Sequence, residues 1–204
     1  MIAIIDYGVG NLFSVEKAFS QYTDDVMVTD DRSLIEKADK LVLPGVGDFG
    51  ACMDNFQASG LCPAVMDRIA AGTPLFGICV GLQILFEGSE ESPDAKGLGV
   101  FKGKVRKIHA PGLKVPHMGW NSVEFAQDGL PFFEGLPANP FFYFVHSYHA
   151  VPDDESIIAA TVEYGEQLTA AVYKDNVMAT QFHPEKSGDV GLMVIKNFID
   201  WKCD

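Results

Sequence analysis

The segment PLFGICVGLQ, residues 74–83, decides how the rest of the chain is interpreted. A short apolar run leads into Gly77-Ile-Cys79-Val-Gly81, and a helical pattern follows. A cysteine with glycines two residues away on either side, between a strand and a helix, is typical of a nucleophile elbow with sulfur in place of the serine oxygen. Both glycines are needed because so sharp a turn leaves no room for side chains. The segment predicts a reactive thiol lifted above the strand ends, at the start of a helix.

The chemistry expected at this elbow follows from the start of the helix. Its dipole favours a thiolate at Cys79, and the backbone N–H of Val80 can face a developing oxyanion. The pentapeptide alone also fits a buried core cysteine between two packing glycines. A second feature of the chain must therefore support the catalytic interpretation.

The first half of the chain alternates short apolar runs with helical patterns. Strands are predicted at 2–5, 26–29, 40–43 and 75–78, and helices at 33–38, 49–58, 63–71 and from a cap at Asn11 through Leu12, Val15, Ala18, Phe19 and Tyr22. Because strands joined by helices run parallel and are covered on both faces, this alternation predicts a parallel sheet.

The second half is rich in strands. They are predicted at 104–108, 122–125, 141–146, 157–163, 168–173 and 177–182, with a hairpin turn at Lys174-Asp-Asn176. A last helix at 190–202 would direct Met193, Ile195, Phe198, Ile199 and Trp201 largely toward a core. With no internal repeat or linker, residues 1–204 form one predicted α/β domain: a mixed, mostly parallel central sheet flanked by helices, with an antiparallel extension.

A base for the thiol is offered by Gln181-Phe-His-Pro-Glu185, at the end of a predicted strand. A cysteine nucleophile needs a base, and the base needs an orienting carboxylate. We expect His183 and Glu185 to project from the same strand end toward one site. A lone histidine there is more often structural, but the elbow and the carboxylate together favour catalysis.

The loop Pro44-Gly-Val-Gly47 lies at the carboxyl edge of the predicted sheet, where open α/β sheets build their sites. Its glycines let the backbone approach a substrate, although a simple turn would look the same. The turn Gly8-Val-Gly10 fails as a dinucleotide fingerprint because Phe13 occupies the third glycine position. No cofactor is expected.

Composition and net charge indicate which binding partners and which cellular location to expect. The 204 residues include 15 Lys and Arg against 28 Asp and Glu, a net charge of −13, and 48% are hydrophobic. An acidic surface disfavours nucleic acid and anionic membranes, and no apolar run is long enough to span a bilayer. No secretory signal is seen, so we expect a soluble cytoplasmic protein whose cysteines are thiols: Cys52, Cys62, Cys79 and Cys203.

The histidines do not suggest a metal site. His146 and His149 are three apart in or just past one predicted strand, which tends to put them on opposite faces. His109 and His117 lie near prolines without a ligand-rich motif. We predict no metal.

The elbow motif with Gln83 and the late His183-Pro-Glu185 resemble the class I (triad) glutamine amidotransferase family, whose fold is flavodoxin-like. More narrowly, the chain resembles the glutaminase subunits of imidazole glycerol phosphate synthase. The stretches that carry the resemblance are Ile5-Asp-Tyr-Gly-Val-Gly-Asn-Leu12, Leu43-Pro-Gly-Val-Gly47, Pro116-His-Met-Gly-Trp-Asn121, Tyr143-Phe-Val-His-Ser-Tyr148 and Gln181-Phe-His-Pro-Glu-Lys-Ser-Gly188. Val80 stands where many relatives carry leucine.

The resemblance implies glutamine hydrolysis to glutamate and ammonia by a triad of Cys79, His183 and Glu185. It implies an oxyanion hole built from Val80 and the loop Gly45, Val46 and Gly47. Gln83, Ser147 and Tyr148 match positions that hold glutamine.

The resemblance also implies a partner, a (β/α)8-barrel cyclase of the HisF type. It would take the ammonia through a closed tunnel and convert PRFAR to imidazole glycerol phosphate and AICAR in histidine biosynthesis. Positions that match this heterodimer interface, and that ordinary packing would also explain, are Met118, Trp120, Tyr143, Lys186 and Asn11.

Three alternatives remain open at this point. A paralogue could supply ammonia to a different synthase, such as one that forms an amidine on a surface sugar. A catalytically silent module would not need Cys79, His183 and Glu185 together. A free-standing cysteine hydrolase would be fully active without a partner.

Overall fold

The computed structural model describes residues 1–127 and 129–202. Its strands are β1 (Ile2–Ile5), β2 (Val26–Thr29), β3 (Lys40–Gly45), β4 (Leu75–Cys79), β5 (Gly103–Lys107), β6 (His117–Phe125), β7 (Phe141–His146), β8 (Tyr148–Pro152), β9 (Ile158–Glu163), β10 (Gln167–Lys174) and β11 (Val177–Thr180). Its helices are α1 (Leu12–Phe19), α2 (Arg32–Lys37), α3 (Phe49–Ala58), α4 (Cys62–Ala70), α5 (Val80–Gln83) and α6 (Gly188–Asp200). Short 3-10 turns span Pro131–Phe133, Glu155–Ile157 and Pro184–Lys186.

Over these residues the central sheet has nine strands, in the order β2-β1-β3-β4-β11-β10-β9-β6-β7. The pairs from β2 to β11 are parallel, and those from β11 to β7 are antiparallel. Every residue of β1 and β4 is buried, as expected where helices cover both faces of a parallel sheet. The predicted α/β fold with an antiparallel extension is confirmed.

The predicted elements in the parallel half agree closely with the structure. Strands β1 and β2 and helix α3 have the predicted bounds, while β3 runs on to Gly45. Helix α1 ends at Phe19, so Tyr22 lies outside it and is exposed. The hairpin between β10 and β11 is confirmed, with Asp175 in the left-handed region at φ 53°.

The antiparallel half departs more from prediction. The unpredicted strand β8 pairs with β5 in a separate two-stranded sheet. Strand β6 begins at His117 rather than at residue 122, because its first half pairs with β7. Strand β11 ends at Thr180, and α6 begins and ends two residues before the predicted bounds. Within α6, Val194 is buried and Met193 is exposed, which corrects the predicted core face.

An aromatic cluster anchors α6 to the sheet. Phe198 packs on Phe19, Phe76 and Trp201, which come from α1, β4 and the end of α6. None of the described helices is both long and apolar enough to cross a membrane.

Candidate active site

Cys79 ends β4 and caps α5 with a backbone conformation that few residues other than glycine adopt, φ 56° and ψ −110°. A Cβ at Gly81 would lie 1.9 Å from the Leu43 carbonyl oxygen, and one at Gly77 would lie 2.9 Å from the Ala179 Cβ. Both approaches are closer than atoms tolerate. The elbow predicted from the sequence is therefore confirmed, together with the reason for its glycines.

The helix after the elbow is only four residues long. A helix of one turn has only a small dipole, so it contributes little of the electrostatic effect expected from the sequence. Val80 opens α5, where backbone N–H groups have no partner within the helix. An oxyanion beside Cys79 could accept from this position.

His183 and Glu185 meet, although not by the predicted route. The strand ends at Thr180, and a 3-10 turn at Pro184–Lys186 folds the chain back so that His183 Nδ1 lies 2.8 Å from Glu185 Oε1. Both side chains are buried. Because a carboxylate only accepts, His183 carries a proton on Nδ1.

The backbone around His183 is also fixed. The His183 N–H donates to the Tyr143 carbonyl at 3.0 Å, and the Ser187 hydroxyl donates to the His183 carbonyl at 2.6 Å. The Ser187 oxygen in turn accepts from the Tyr143 N–H at 3.0 Å. Sequence analysis missed Ser187, because its role comes from contact with a strand far away in the chain.

The electrostatics of His183 favour its protonated form. Burial alone would lower its pKa, but hydrogen bonds and charge interactions with Cys79 and Glu185 outweigh burial and raise the pKa to about 9. An imidazolium between a thiol and a carboxylate can donate a proton to a departing group.

A cavity of about 530 Å³ opens beside Cys79 and His183. The other predicted site residues that line it are Asn11, Val46, Gly47, Val80, Gln83, Ser147, Tyr148 and Lys186. The lining also includes Glu91, Pro116, Val145 and His146, which sequence analysis did not assign to a site. A larger, open groove of about 1080 Å³ lies elsewhere, next to α6, and contains no predicted site residue.

The loop after β3 runs alongside the elbow. Gly45 pairs with Cys79 across β3 and β4, and a Cβ there would lie 2.6 Å from the Gly81 nitrogen. Gly47 has φ 93°, and Val46 between them is partly exposed. The Cys52 thiol donates to the Val46 carbonyl at 3.3 Å. The pairing of Gly45 with Cys79 places the start of this loop beside the Cys79 thiol.

Gln83 is buried, and its Nε2 donates to the Tyr148 carbonyl at 3.1 Å and to Gln181 Oε1 at 3.0 Å. Gln181 Nε2 lies 3.7 Å from Cys79 Sγ. Gln181 was quoted in the sequence motif but given no role, since only the fold brings it against a residue 102 positions away.

Five of the predicted residues do not line the cavity: Gly45, Met118, Trp120, Tyr143 and Glu185. Met118 and Trp120 are exposed on β6, and Trp120 meets Tyr143 edge-on at 6.3 Å between ring centroids. Asn11, at the cavity rim, caps α1 by accepting from the Ser14 N–H at 3.4 Å.

The histidine geometry differs from the prediction. His146 ends β7 and His149 lies on β8, so they occupy different strands of different sheets rather than opposite faces of one strand. His117 and His146, far apart in sequence, are in direct contact. Among residues 1–127 and 129–202, no group of three side chains is arranged to hold a metal. Cys52, Cys62 and Cys79 are free thiols, and Cys203 lies outside the described residues.

Solved structures share this fold over nearly the whole chain. A crystal structure of a glutamine amidotransferase matches with a TM-score of 0.76 and 22% identity, covering 98% of both chains. PurLQS from Thermotoga maritima matches with a TM-score of 0.76 and 17% identity, covering 98% of this chain and 97% of that one. At these identities the similarity establishes the fold.

Sequence comparisons are closer. A family model described as glutamine amidotransferase class-I matches residues 3–201. The imidazole glycerol phosphate synthase subunit HisH of Syntrophotalea carbinolica is 50% identical over 98% of this chain and 100% of its own length. The HisH subunit of Methanocaldococcus jannaschii is 50% identical over 98% of this chain and 99% of its own. The chain therefore belongs to the class-I glutamine amidotransferases and, within them, to the HisH subunits of imidazole glycerol phosphate synthase.

Proposed function

We propose that the protein hydrolyses glutamine to glutamate and ammonia at Cys79 and delivers the ammonia to a HisF-type cyclase, which converts PRFAR to imidazole glycerol phosphate and AICAR in histidine biosynthesis. The observation that carries this proposal is the strained elbow at Cys79 beside the His183–Glu185 pair, in one cavity large enough for an amino acid. Relatives named as the HisH subunit of imidazole glycerol phosphate synthase, 50% identical over 98% of this chain, favour this pathway over a paralogous synthase.

In the first half of the reaction, the Cys79 thiol gives its proton to His183 and the sulfur attacks the carboxamide carbon of glutamine. The C=O electron pair moves to oxygen, giving a tetrahedral oxyanion. When the oxyanion collapses, the C–N bond breaks and His183 gives its proton to the departing nitrogen, releasing ammonia and a thioester at Cys79. The high pKa of His183 suits it to hold this proton until the C–N bond breaks.

In the second half, neutral His183 removes a proton from water as the water attacks the thioester. The C–S bond then breaks, the sulfur leaves as thiolate and glutamate is released. Glu185 orients His183 in both halves by accepting from Nδ1–H at 2.8 Å. This arrangement leaves Nε2 as the nitrogen that exchanges protons with substrate and water.

The oxyanion would be held by the Val80 N–H and by an N–H from Gly45, Val46 or Gly47. What supports this assignment is that both segments border Cys79 and that Val46, Gly47 and Val80 line its cavity. Backbone N–H groups aimed at a developing negative charge are among the strongest contributors to acyl-transfer catalysis.

The glutamine substrate would lie along Gln83, Ser147 and Tyr148. These three residues line the cavity next to the thiol, and Gln83 is locked in place by two hydrogen bonds. A fixed amide on the wall can recognise a substrate without losing rotamer freedom on binding.

A partner is needed because ammonia released into neutral water becomes ammonium and stops being a nucleophile. The proposed heterodimer interface comprises Asn11, Met118, Trp120, Tyr143 and Lys186. Supporting it, Met118 and Trp120 are 62% and 55% exposed, unusual for large apolar side chains, and Phe13 beside Asn11 is 73% exposed. We assign the protein to the cytoplasm, because this compartment supplies glutamine and keeps cysteines as free thiols.

The nucleophile is tested by mass spectrometry with a glutamine-analogue electrophile. We expect one adduct, on Cys79, and none in Cys79→Ser, because the elbow presents this thiol to the substrate cavity. Cys62→Ser is the matched control and should label like the wild type. An adduct on Cys52 or Cys62 would refute the assignment.

The pathway is tested by glutamate release with and without the candidate cyclase and PRFAR. Turnover that rises by orders of magnitude when both are added supports the proposal. An equally high rate without partner would identify a free-standing hydrolase, and stimulation only by another synthase would identify a paralogue.

A further inference from the structure

His117, the first residue of β6, and His146, which ends β7 and lines the cavity, form a buried pair. The His117 ring is stacked between Phe144, at 4.8 Å, and Tyr164, at 4.1 Å between ring centroids. His117 Nδ1 lies 2.9 Å from His146 Nε2. Two imidazoles so close must share a single proton between these nitrogens.

The hydrogen bonds around the pair determine where each proton lies. His146 Nδ1 lies 2.9 Å from the Tyr148 carbonyl, an acceptor, so this nitrogen carries the ring proton and Nε2 is an acceptor. His117 Nδ1 must then be the donor toward His146. His117 Nε2 is left as an acceptor, and it lies 3.2 Å from Asn121 Nδ2.

The Asn121 amide is oriented independently of the histidines. Its Nδ2 also donates to the Glu163 carbonyl at 2.9 Å, and its Oδ1 accepts from the Ser122 N–H at 2.8 Å. The Asn121 Nδ2 donor is therefore directed at His117 Nε2. The proton positions assigned to Asn121, His117 and His146 agree with one another. Burial lowers the pKa of His117 to about 4 and that of His146 to about 3, which keeps both rings neutral as these bonds require.

The Tyr148 carbonyl, which accepts from His146, also accepts from a second donor on the side of the catalytic cysteine. Gln83 Nε2 donates to Tyr148 at 3.1 Å and to Gln181 Oε1 at 3.0 Å, which directs Gln181 Nε2 at Cys79 Sγ, 3.7 Å away. The hydrogen bonds thus run without a break from Asn121 to the sulfur.

The direction of these bonds excludes proton transfer along the chain. Both His146 and Gln83 donate to the Tyr148 oxygen, so a proton arriving there from either side meets another donor. What such a chain can do is hold the carbonyl, and with it the Gln83 amide, in one position.

We propose that His117 and His146 are positioning residues for glutamine binding: they fix the Tyr148 carbonyl, which fixes the Gln83 amide in the cavity wall. This inference rests on the proposed glutaminase function, since it assigns Gln83 to the substrate. It gives a role to two histidines that neither the triad nor a metal site uses.

The first test is nitrogen-detected NMR of the histidine rings in the full chain. We expect His117 and His146 both to carry their ring proton on Nδ1 at neutral pH. A proton on Nε2 of either ring would overturn the proposal. This readout requires no activity.

The second test is His117→Phe, which keeps the stacking between Phe144 and Tyr164 and removes both hydrogen bonds. With cyclase and PRFAR present, the KM for glutamine should rise about tenfold while kcat changes much less, because the hydrogen bond that orients His146 is lost and the triad is intact. His149→Phe, another buried histidine but outside the chain of bonds, is the matched control and should leave KM unchanged.

Asn121→Asp is the variant to use if His117→Phe does not fold. The carboxylate draws the His117 proton to Nε2, removes the donor toward His146 and should raise KM in the same way. A KM equal to that of the control in a folded variant overturns the positioning role. A wild type that releases no glutamate refutes the proposed function instead, which is a different result.

Discussion

His183 and Glu185 show how two residues in one short motif set a reactive geometry. Pro184 between them starts a 3-10 turn, so the carboxylate reaches the imidazole at 2.8 Å although both are buried. A buried carboxylate is stable in this position because its charge faces a group that can carry the opposite charge. Glu185 therefore orients His183 and, together with Cys79, raises the pKa of its imidazole.

Replacing Glu185 with Gln should slow glutamate release roughly 10²- to 10⁴-fold, since the orienting charge is lost. Glu185 is among the groups that raise the pKa of His183 to about 9, so His183 stays protonated up to that pH in the wild type. In the variant, activity should therefore begin to fall at a lower pH on the alkaline side. The pH–rate profile with cyclase and PRFAR measures this, with exposed Glu124→Gln as the control. An unshifted alkaline limb would contradict the pKa argument.

At the scale of elements, the site depends on how closely α5 approaches β3. The Gly81 position is separated from the Leu43 carbonyl by a distance that leaves no room for a methyl group. Gly45 makes the reverse approach, toward the Gly81 nitrogen. Close packing of these two segments places the loop 45–47 beside Cys79.

Gly81→Ala should lower the free energy of unfolding by about 3 kcal/mol, because the added methyl forces strand and helix apart. Urea denaturation measures the change. Gly88→Ala is the matched control, since its Cβ would lie 3.5 Å from the Ala95 carbonyl oxygen, an ordinary contact. Equal stability of the two variants would show that the elbow can relax.

For the whole molecule, the buried histidine pair makes stability depend on pH. In the unfolded chain His117 and His146 titrate near 6.5, whereas burial lowers their folded pKa values to about 4 and about 3. Between these values the unfolded state binds more protons. Their contribution to stability is therefore complete above about pH 6.5 and is lost as the pH falls through the folded values.

From pH 7.5 to pH 5, we expect His117 alone to reduce the free energy of unfolding by on the order of 2 kcal/mol. Urea denaturation at both pH values measures the loss, which should be smaller by that amount in His117→Phe. Replacement of the exposed His109 by Gln is the control and should keep the wild-type difference. A His117→Phe difference equal to that of wild type would mean that folding does not lower the pKa of His117.

Local sequence pattern alone determined the parallel half of the sheet, the elbow and the pairing of His183 with Glu185. Apolar runs, helical spacing and glycines act within a few residues, so they can be interpreted without knowing what packs against them. The glycines at 77 and 81 predict a close approach of the backbone to other segments, but the segments themselves, at Ala179 and Leu43, are seen only in the structure.

Only the tertiary structure decided which distant segments meet. Strand β8 forms because its backbone pairs with β5. Its own sequence is too short to predict a strand. Gln181 meets Cys79, and His117 meets His146, across long stretches of chain. Such contacts depend on sheet order and register, which arise from the packing of the whole core and are not encoded in any one segment.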